Sequence, residues 1–212
     1  MGKKINRLLK LIKRGLLEVI YPRSTNCIIC SNDTDNTVCT ECLKKITYIH
    51  GSELCIGYYC GVLKELILQF KYKKDFTAGE ILTELIENKI NGVSSDFYLT
   101  YIPLSKKNFK KRGFNQSQFI AEELGFRNNL EVINTLIKVK ETKEQKRLNK
   151  KERQKNIEGS FKLVNENLVK SRNFILIDDV VTTGATLNEA ERILKSGGAN
   201  KIIKLTLAKA II

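Results

Sequence analysis

The hydrophobic positions of this chain change period several times, and each change predicts an element. Ile5, Leu8, Leu9, Ile12, Leu16, Val19 and Ile20 recur at roughly helical spacing with Lys and Arg between them. That pattern predicts a basic amphipathic helix over 3–20, ending before Pro22. Val62, Leu63, Leu66, Ile67 and Phe70 predict a second helix over 62–70; Ile81, Leu82, Leu85, Ile86 and Ile90 predict a third over 79–90. Residues 97–102, rich in aromatic and β-branched side chains, read as a strand, as do residues 55–60. A helix is expected from about Asn115 to Leu124, stopped at Gly125, and strand-like residues recur from Leu130 to Ile137. The last third opens on the apolar run Phe174 to Ile177, passes through a polar loop into a helix over 186–197 that Gly197 and Gly198 end, and closes on a strand from Lys201 to Ala208. Strand, loop, helix and strand form a βαβ unit, which requires a parallel sheet. The fold class is therefore α/β.

The polar loop of that unit carries the most distinctive chemistry. Asp178 and Asp179 stand at the carboxyl end of the strand, where open α/β sheets place their ligands. Val180, Val181, Thr182, Thr183, Gly184, Ala185 and Thr186 follow, and the helix begins near Leu187. Such a loop offers backbone N–H groups, hydroxyls and a helix N-terminus to an anion, most naturally a phosphate. It is not a Walker A loop, because it lacks G-x-x-x-x-G-K. Nor is it a dinucleotide fingerprint, because the acids precede a single glycine. Two acids followed by a Thr/Gly loop suit a ribose 5-phosphate. The carboxylates accept hydrogen bonds from two ring hydroxyls, and the loop holds the phosphate.

Charge and cysteine sharpen this picture. The 212 residues carry a formal charge of +14, and the location of the charge matters more than its size. Residues 1–26 hold seven Lys/Arg against one Glu, residues 105–112 five against none, and residues 138–155 nine against three. Three basic patches suggest anionic partners. Residues 138–158 are too sparse in apolar side chains for a packed face. A solvated helix or linker and a mobile basic loop closing over a polyanion fit their composition equally. The basic helix over 3–20 is most simply packed on the body of the protein; a membrane-surface or DNA-contacting arm is the other reading.

Cys27-Ile-Ile-Cys30 and Cys39-Thr-Glu-Cys42 form two Cys-x-x-Cys pairs separated by eight residues. Two such knuckles present four thiolates tetrahedrally to one zinc ion, and the metal replaces a core that the polar turn between them lacks. Unliganded thiols are the alternative. Cys55 and Cys60 do not have knuckle spacing and read as ordinary buried cysteines. No apolar run resembles a secretory signal or spans a bilayer, so a cytoplasmic, reducing location is expected. With a single histidine, His50, and no nucleophile site around it, triad chemistry is not indicated.

The run Asp178, Asp179, Thr183, Gly184 and Thr186 resembles the Asp-Asp-x-x-x-Thr-Gly-x-Thr signature of type I phosphoribosyltransferases, which bind phosphoribosyl pyrophosphate (PRPP). Across nearly its whole length the chain resembles, more narrowly, the ComF family associated with genetic competence, the uptake of DNA. Phe70-Lys71-Tyr72, Ile102-Pro103-Leu104-Ser105 and Arg112-Gly113-Phe114-Asn115-Gln116 match its elements, as do Thr142, Gln145, Leu148, Arg153, Asn156 and Phe161. The resemblance implies an N-terminal zinc-binding module, residues 1–50, joined to a phosphoribosyltransferase-like domain, residues 51–212, with a parallel sheet flanked by helices. It implies zinc at Cys27, Cys30, Cys39 and Cys42. Many members carry further Cys-x-x-Cys pairs, and whether Cys55 and Cys60 bind metal stays open. Ser105, Lys106 and Arg112 are implied pyrophosphate contacts. Residues 138–156, with Gln145 and Arg153, are the implied flexible cover of PRPP, and Mg²⁺ is held mostly by substrate oxygens. Asp178 and Asp179 are the implied catalytic pair.

Two readings from different classes follow. One is a transferase that moves phosphoribosyl to an unidentified nucleophile. The other is a competence or repair factor that binds single-stranded DNA, with PRPP as regulator or with no catalysis; other competence proteins are then partners. A zinc-stabilised scaffold with a degenerate site is less consistent with the intact loop.

Overall fold

The computed structural model describes residues 25–51, 54–141, 152 and 156–211. The predicted helix over 3–20 lies outside these residues. The chain divides into two compact units, Met1–Lys45 and Ile46–Ile212.

Within the first unit, Asn26 and Asp33 form an antiparallel bridge, and the Ser31 N–H donates to the Cys27 carbonyl at 2.8 Å. Ser31 takes a positive φ of 63° to close this knuckle. Cys39 then precedes a short helix α1 (Thr40–Lys44) that carries Cys42.

The second unit is a four-stranded parallel sheet with helices on its faces. Its elements run β1 (Cys55–Tyr58), α2 (Gly61–Leu68), a π-helical turn (Gln69–Lys73), α3 (Phe76–Glu87), β2 (Phe97–Tyr101), α4 (Lys106–Arg112), α5 (Gln116–Asn128), β3 (Leu136–Lys138), β4 (Phe161–Leu163), β5 (Asn173–Val181), α6 (Ala185–Ser196) and β6 (Ile202–Lys209). The strand order is β1-β6-β5-β2, all parallel, while β3 and β4 pair antiparallel as a separate ribbon. Phe174 and Leu176 of β5 join Leu187, Ala190 and Leu194 of α6 and Leu136 and Phe161 of the ribbon in one buried cluster. Ile175 and Ile177 are equally buried and alternate to the opposite face. A strand covered on both faces needs the unbroken apolar run seen at 174–177.

Several boundaries differ from expectation for local reasons. Helix α3 begins at Phe76, not 79, because the Asp75 carboxylate caps it, accepting from the Thr77 and Ala78 N–H groups at 3.0 and 3.2 Å. Gly79 lies inside this helix, where a Cβ would stand 2.6 Å from the Phe70 ring and 2.9 Å from the Phe119 ring. Helix α5 runs through Gly125 to Asn128 and ends on Asn129 in the left-handed region. Gly125 is there for close approach: a Cβ would meet the Leu130 carbonyl at 2.8 Å. In the 130–137 stretch, only a Leu99–Val132 bridge and the start of β3 are sheet. Helix α4 was not signalled by periodicity, and none of its residues is buried. The Ser105 hydroxyl caps it, accepting from the Asn108 N–H at 3.3 Å, and Gly113 ends it at φ 82°. Cys55 is buried as expected, but Cys60 is only half-buried and approaches the Thr47 hydroxyl at 3.8 Å.

Candidate functional site

The acidic pair sits where the sheet splits. Strand β2 stays with β5 as far as Ile177, whose carbonyl accepts from the Ile102 N–H at 2.9 Å. Strand β5 continues beside β6 to Val181, so Asp178 and Asp179 lie inside the strand, beyond the point where β2 has left. Into that gap comes the N-terminus of α5. Asn115 holds it there: its amide donates to the Ile102 carbonyl at 2.9 Å while its Oδ1 accepts from the Ser117 N–H at 3.0 Å.

The two acids have different surroundings. The Asp179 carboxylate pairs with Lys71 at 2.8 Å and lies 3.8 Å from Arg112. Asp178 accepts from the Asp179 N–H at 2.8 Å, and the Ser117 hydroxyl stands 3.5 Å away. Burial first, then the neighbouring Asp179 charge, push the Asp178 carboxyl up to about 7, against the opposing pull of the Asp179 N–H, Lys71 and Lys138. Burial in turn lowers Lys138, against the charges of Asp178 and Glu141.

Lys71 belongs to the Phe-Lys-Tyr element, in the Phe70–Lys74 segment expected to help recognise the acceptor, and its pairing with Asp179 was not expected. It is placed by the π-helical turn, a backbone form concentrated at functional sites. Phe70 beneath it packs at 5.1 Å between centroids on both Phe114 and Phe119, and Gly79 leaves those rings room. The signal available in sequence was a lysine at the end of an apolar helix; its partner is visible only after folding.

Val180 and Val181 complete β5, Thr182 and Thr183 turn the chain, and Gly184 adopts φ 76° as the residue before α6. Helix α6 therefore begins at Ala185, one residue before the predicted 186–197 span, and Thr186 lies in its first turn. Every residue from 178 to 186 is half-buried, neither sealed nor fully exposed. First-turn N–H groups lack helical acceptors, so the loop has donors to offer an anion.

Ser105 and Lys106 lie at the opposite end of α4 from Arg112. There the Lys107 N–H donates to the Glu141 carboxylate at 3.1 Å. The Ser105 hydroxyl, then that N–H, hold the Glu141 carboxyl below the usual range. A cleft of about 640 Å³ at this place is lined by Ser105, Lys106, Lys138, Lys140 and Glu141 among others. Gln145 and Arg153 lie outside the described residues. The far side of the 138–158 segment is anchored: Ile157 is buried, and the Gly159 N–H donates to Glu189 of α6 at 2.8 Å.

In the first unit, the thiols of Cys27, Cys30, Cys39 and Cys42 all lie within 4.8 Å of one another. The Cys30 and Cys39 sulfurs are 3.7 Å apart. Tetrahedral zinc with Zn–S bonds of about 2.3 Å requires sulfurs about 3.8 Å apart, so the donor set fits. Burial opposes the Cys27 thiolate, but N–H groups of Cys30, Cys39 and Ile29 outweigh it and bring Cys27 down to about 6. Burial, then the thiols around it, push Cys42 up to about 12. Among the described residues this is the group able to hold a metal ion.

Residues 110–211 match the phosphoribosyl transferase domain family. The chain is 31% identical over 180 residues to Competence protein F of Haemophilus influenzae, covering 81% of this chain and 78% of that one. It is 30% identical over 193 residues to Competence protein ComFC of Bacillus subtilis, covering 87% and 78%. It is 26% identical over 195 residues to DNA utilization protein YhgH of Escherichia coli, covering 82% and 85%. Among solved structures it is similar to adenine phosphoribosyltransferase from Thermoanaerobacter pseudethanolicus (TM-score 0.40, 16% identity, 65% of this chain and 83% of that one). It is also similar to glutamine PRPP amidotransferase from B. subtilis (TM-score 0.39, 14% identity, 69% of this chain), of which it spans only 26%.

Proposed function

The chain belongs to the ComF family of competence proteins and carries a phosphoribosyltransferase domain, and from that premise we propose that it binds PRPP with Mg²⁺ and transfers its phosphoribosyl group. One observation carries the reading: two carboxylates open into the gap left by β2, immediately before a left-handed glycine and a helix N-terminus. Asp178 and Asp179 would take the ribose hydroxyls, and the loop from Val180 to Thr186 would take the 5-phosphate. Ser105 and Lys106 would face the pyrophosphate. That an acidic side chain, Glu141, settles at this helix head supports an anion there. Gln145 and Arg153 belong to the proposed cover. Mg²⁺ would be carried mainly by substrate oxygens and supply charge to the leaving group.

In the proposed reaction pyrophosphate leaves the anomeric carbon. Positive charge grows on the sugar next to the two acids, and negative charge grows on the leaving group next to the lysines. The same reading assigns one structural zinc to the four thiols and a reducing, cytoplasmic setting that keeps them available. Mg²⁺ with PRPP is expected to raise the melting temperature, and Asp178→Asn with Asp179→Asn to abolish the rise. A wild-type protein that shows no rise at millimolar PRPP is not a PRPP-binding protein.

A second reading, single-stranded DNA binding in DNA uptake, is favoured by a separate feature. Helix α4 presents Lys106, Lys107, Lys110 and Lys111 around Phe109, which is 50% exposed. An aromatic face among lysines suits an unpaired strand. PRPP would then act as a regulator or as a substrate at the neighbouring site, and other competence proteins would be partners.

A further inference from the structure

Beside Asp179 two cations, two tyrosines and a glutamine gather. Lys71 and Arg112 share the single Oδ2 of that carboxylate, at 2.8 and 3.8 Å. Arg112 also donates to the Gln116 Oε1 at 2.7 Å, which turns the amide nitrogen elsewhere. That Nε2 is buried and has no hydrogen-bond partner, on a residue only 1% exposed. The Arg112 guanidinium lies 5.7 Å from the centroid of Tyr72, a ring that is 56% exposed. Half-buried Tyr59 joins the same corner, with Lys64 6.0 Å from its ring centroid. Burial first, then the charges of Asp179 and Tyr72, raise its phenol, and Arg112 opposes them.

The chemistry of this set is one-sided. Lys71 and Arg112 share the Asp179 carboxylate, and burial with the Asp179 charge holds Asp178 towards its neutral form, so positive charge is left over. A buried amide N–H₂ without an acceptor is destabilising, and a ligand oxygen would supply the missing partner. Tyrosine rings at the edge offer flat apolar contact, and a guanidinium stacks readily on a ring. An amine would add charge of the wrong sign. A neutral base could accept from the amide but would leave the cation excess uncompensated. Pyrophosphate would satisfy the charge but has no flat face for the rings.

We propose that Lys71, Tyr72, Arg112, Gln116 and Tyr59 form the acceptor bay of the transfer reaction, and that the acceptor is a small nitrogen-heteroaromatic carboxylate. The proposal rests on the PRPP reading and extends it from donor to acceptor. The acceptor carboxylate bridges Arg112 and the free Gln116 nitrogen, and its ring lies against Tyr72. A ring nitrogen then forms the bond to the anomeric carbon as the carbon–oxygen bond to pyrophosphate breaks. The electron pair of that bond leaves with pyrophosphate. A ring N–H passes its proton to the departing pyrophosphate; a pyridine-type nitrogen has none to lose and the product is a pyridinium.

The test is pyrophosphate release by the full-length protein with Mg²⁺ and PRPP. Pyridine-3-carboxylate, pyridine-2,3-dicarboxylate and orotate are compared with nicotinamide, pyridine, uracil, adenine and ammonia. At least one carboxylate is expected to raise release about tenfold or more above PRPP alone, with its uncharged counterpart inactive. Tyr72→Ala and Gln116→Leu are each expected to raise the KM for that acceptor about tenfold, with a smaller change in the KM for PRPP. If PRPP raises the melting temperature but only neutral bases or ammonia support release, or nothing does, the acceptor class is wrong while PRPP binding stands. Carboxylate-dependent release that both variants leave at wild-type acceptor KM overturns the placement of the bay. Absence of any PRPP-induced rise in melting temperature removes this proposal together with the reading beneath it.

Discussion

Asp178 and Asp179 are chain neighbours that the fold treats differently. Asp179 is neutralised by Lys71 and Arg112, whereas Asp178 accepts the Asp179 N–H, has a serine hydroxyl 3.5 Å away and is raised to about 7 by burial and by Asp179, against the weaker pull of Lys71 and Lys138. An unfolded aspartate titrates near about 3.9. Its folded value is higher, so ionising Asp178 in the native state costs stability. The favourable contribution is complete below about pH 4 and is lost as the pH rises through about 7. Relative to Asp178→Asn, the ligand-free wild type is expected to lose stability across that window, by no more than about 4 kcal/mol. Urea unfolding midpoints of both proteins at each pH check this; a difference that stays flat from pH 4 to 8 contradicts it. Neither the raised carboxyl nor the role of Lys71 was legible in the sequence. Both depend on partners that the sheet brings from distant segments.

At the scale of elements, α4 is instructive because capping and not periodicity makes it. Its sequence, KKNFKKR, has no apolar stripe, and no residue of it is buried. Ser105 closes its start and left-handed Gly113 its end, while Lys110, Lys111 and Arg112 oppose the negative end of the helix dipole. Lys106 and Lys107 stand at the wrong end for the dipole, and the Glu141 carboxylate relieves them. Such a helix is free to serve the solvent side. Single-stranded DNA is expected to bind there with an affinity that falls as salt rises, by a slope of roughly −0.7 per phosphate contacted. Phe109→Ala is expected to weaken binding about tenfold, within the range of about 1–3 kcal/mol for one stacked base. Fluorescence anisotropy at several salt concentrations measures both, and binding indifferent to salt or to Phe109 rejects this surface. The π-helical turn Gln69–Lys73 shows the complementary case. Its apolar residues were readable as helix, but its altered winding was not, and it goes with a ring cluster of Phe70, Phe76, Phe114 and Phe119 drawn from separate segments.

At the scale of the molecule, the two units have different sources of stability. Ile46–Ile212 contains an extensive buried apolar core, including Leu99, Phe174 and Leu205. The described part of Met1–Lys45 buries little beyond Cys27, Val38 and Cys42, which suits a metal-organised unit. One zinc per chain is therefore expected by elemental analysis. Chelation, or Cys39→Ser, is expected to expose the remaining thiols of the cluster to maleimide and to abolish the ordered structure of residues 25–45. The main calorimetric transition should persist, because the apolar core of Ile46–Ile212 does not depend on metal. A metal-free protein whose thiols are equally protected would show that zinc is not what holds this unit.

What the sequence determined by itself was whatever local pattern encodes. The apolar run at 174–177, the acids and glycine that follow it, and the paired cysteine knuckles each need only neighbours a few residues away. They were enough for the α/β class, the parallel βαβ unit and the family resemblance. What the tertiary structure decided was everything that depends on where segments distant in sequence meet. Strand β2 stops pairing at Ile177 while β6 continues to Val181, and that difference opens the gap over the acids. Asn115 then ties α5 to the end of β2, and Lys71, next to Phe70 of the aromatic cluster, pairs with Asp179. Charge pairing and burial arise between such segments only after the chain has folded, so no periodicity along the sequence records them.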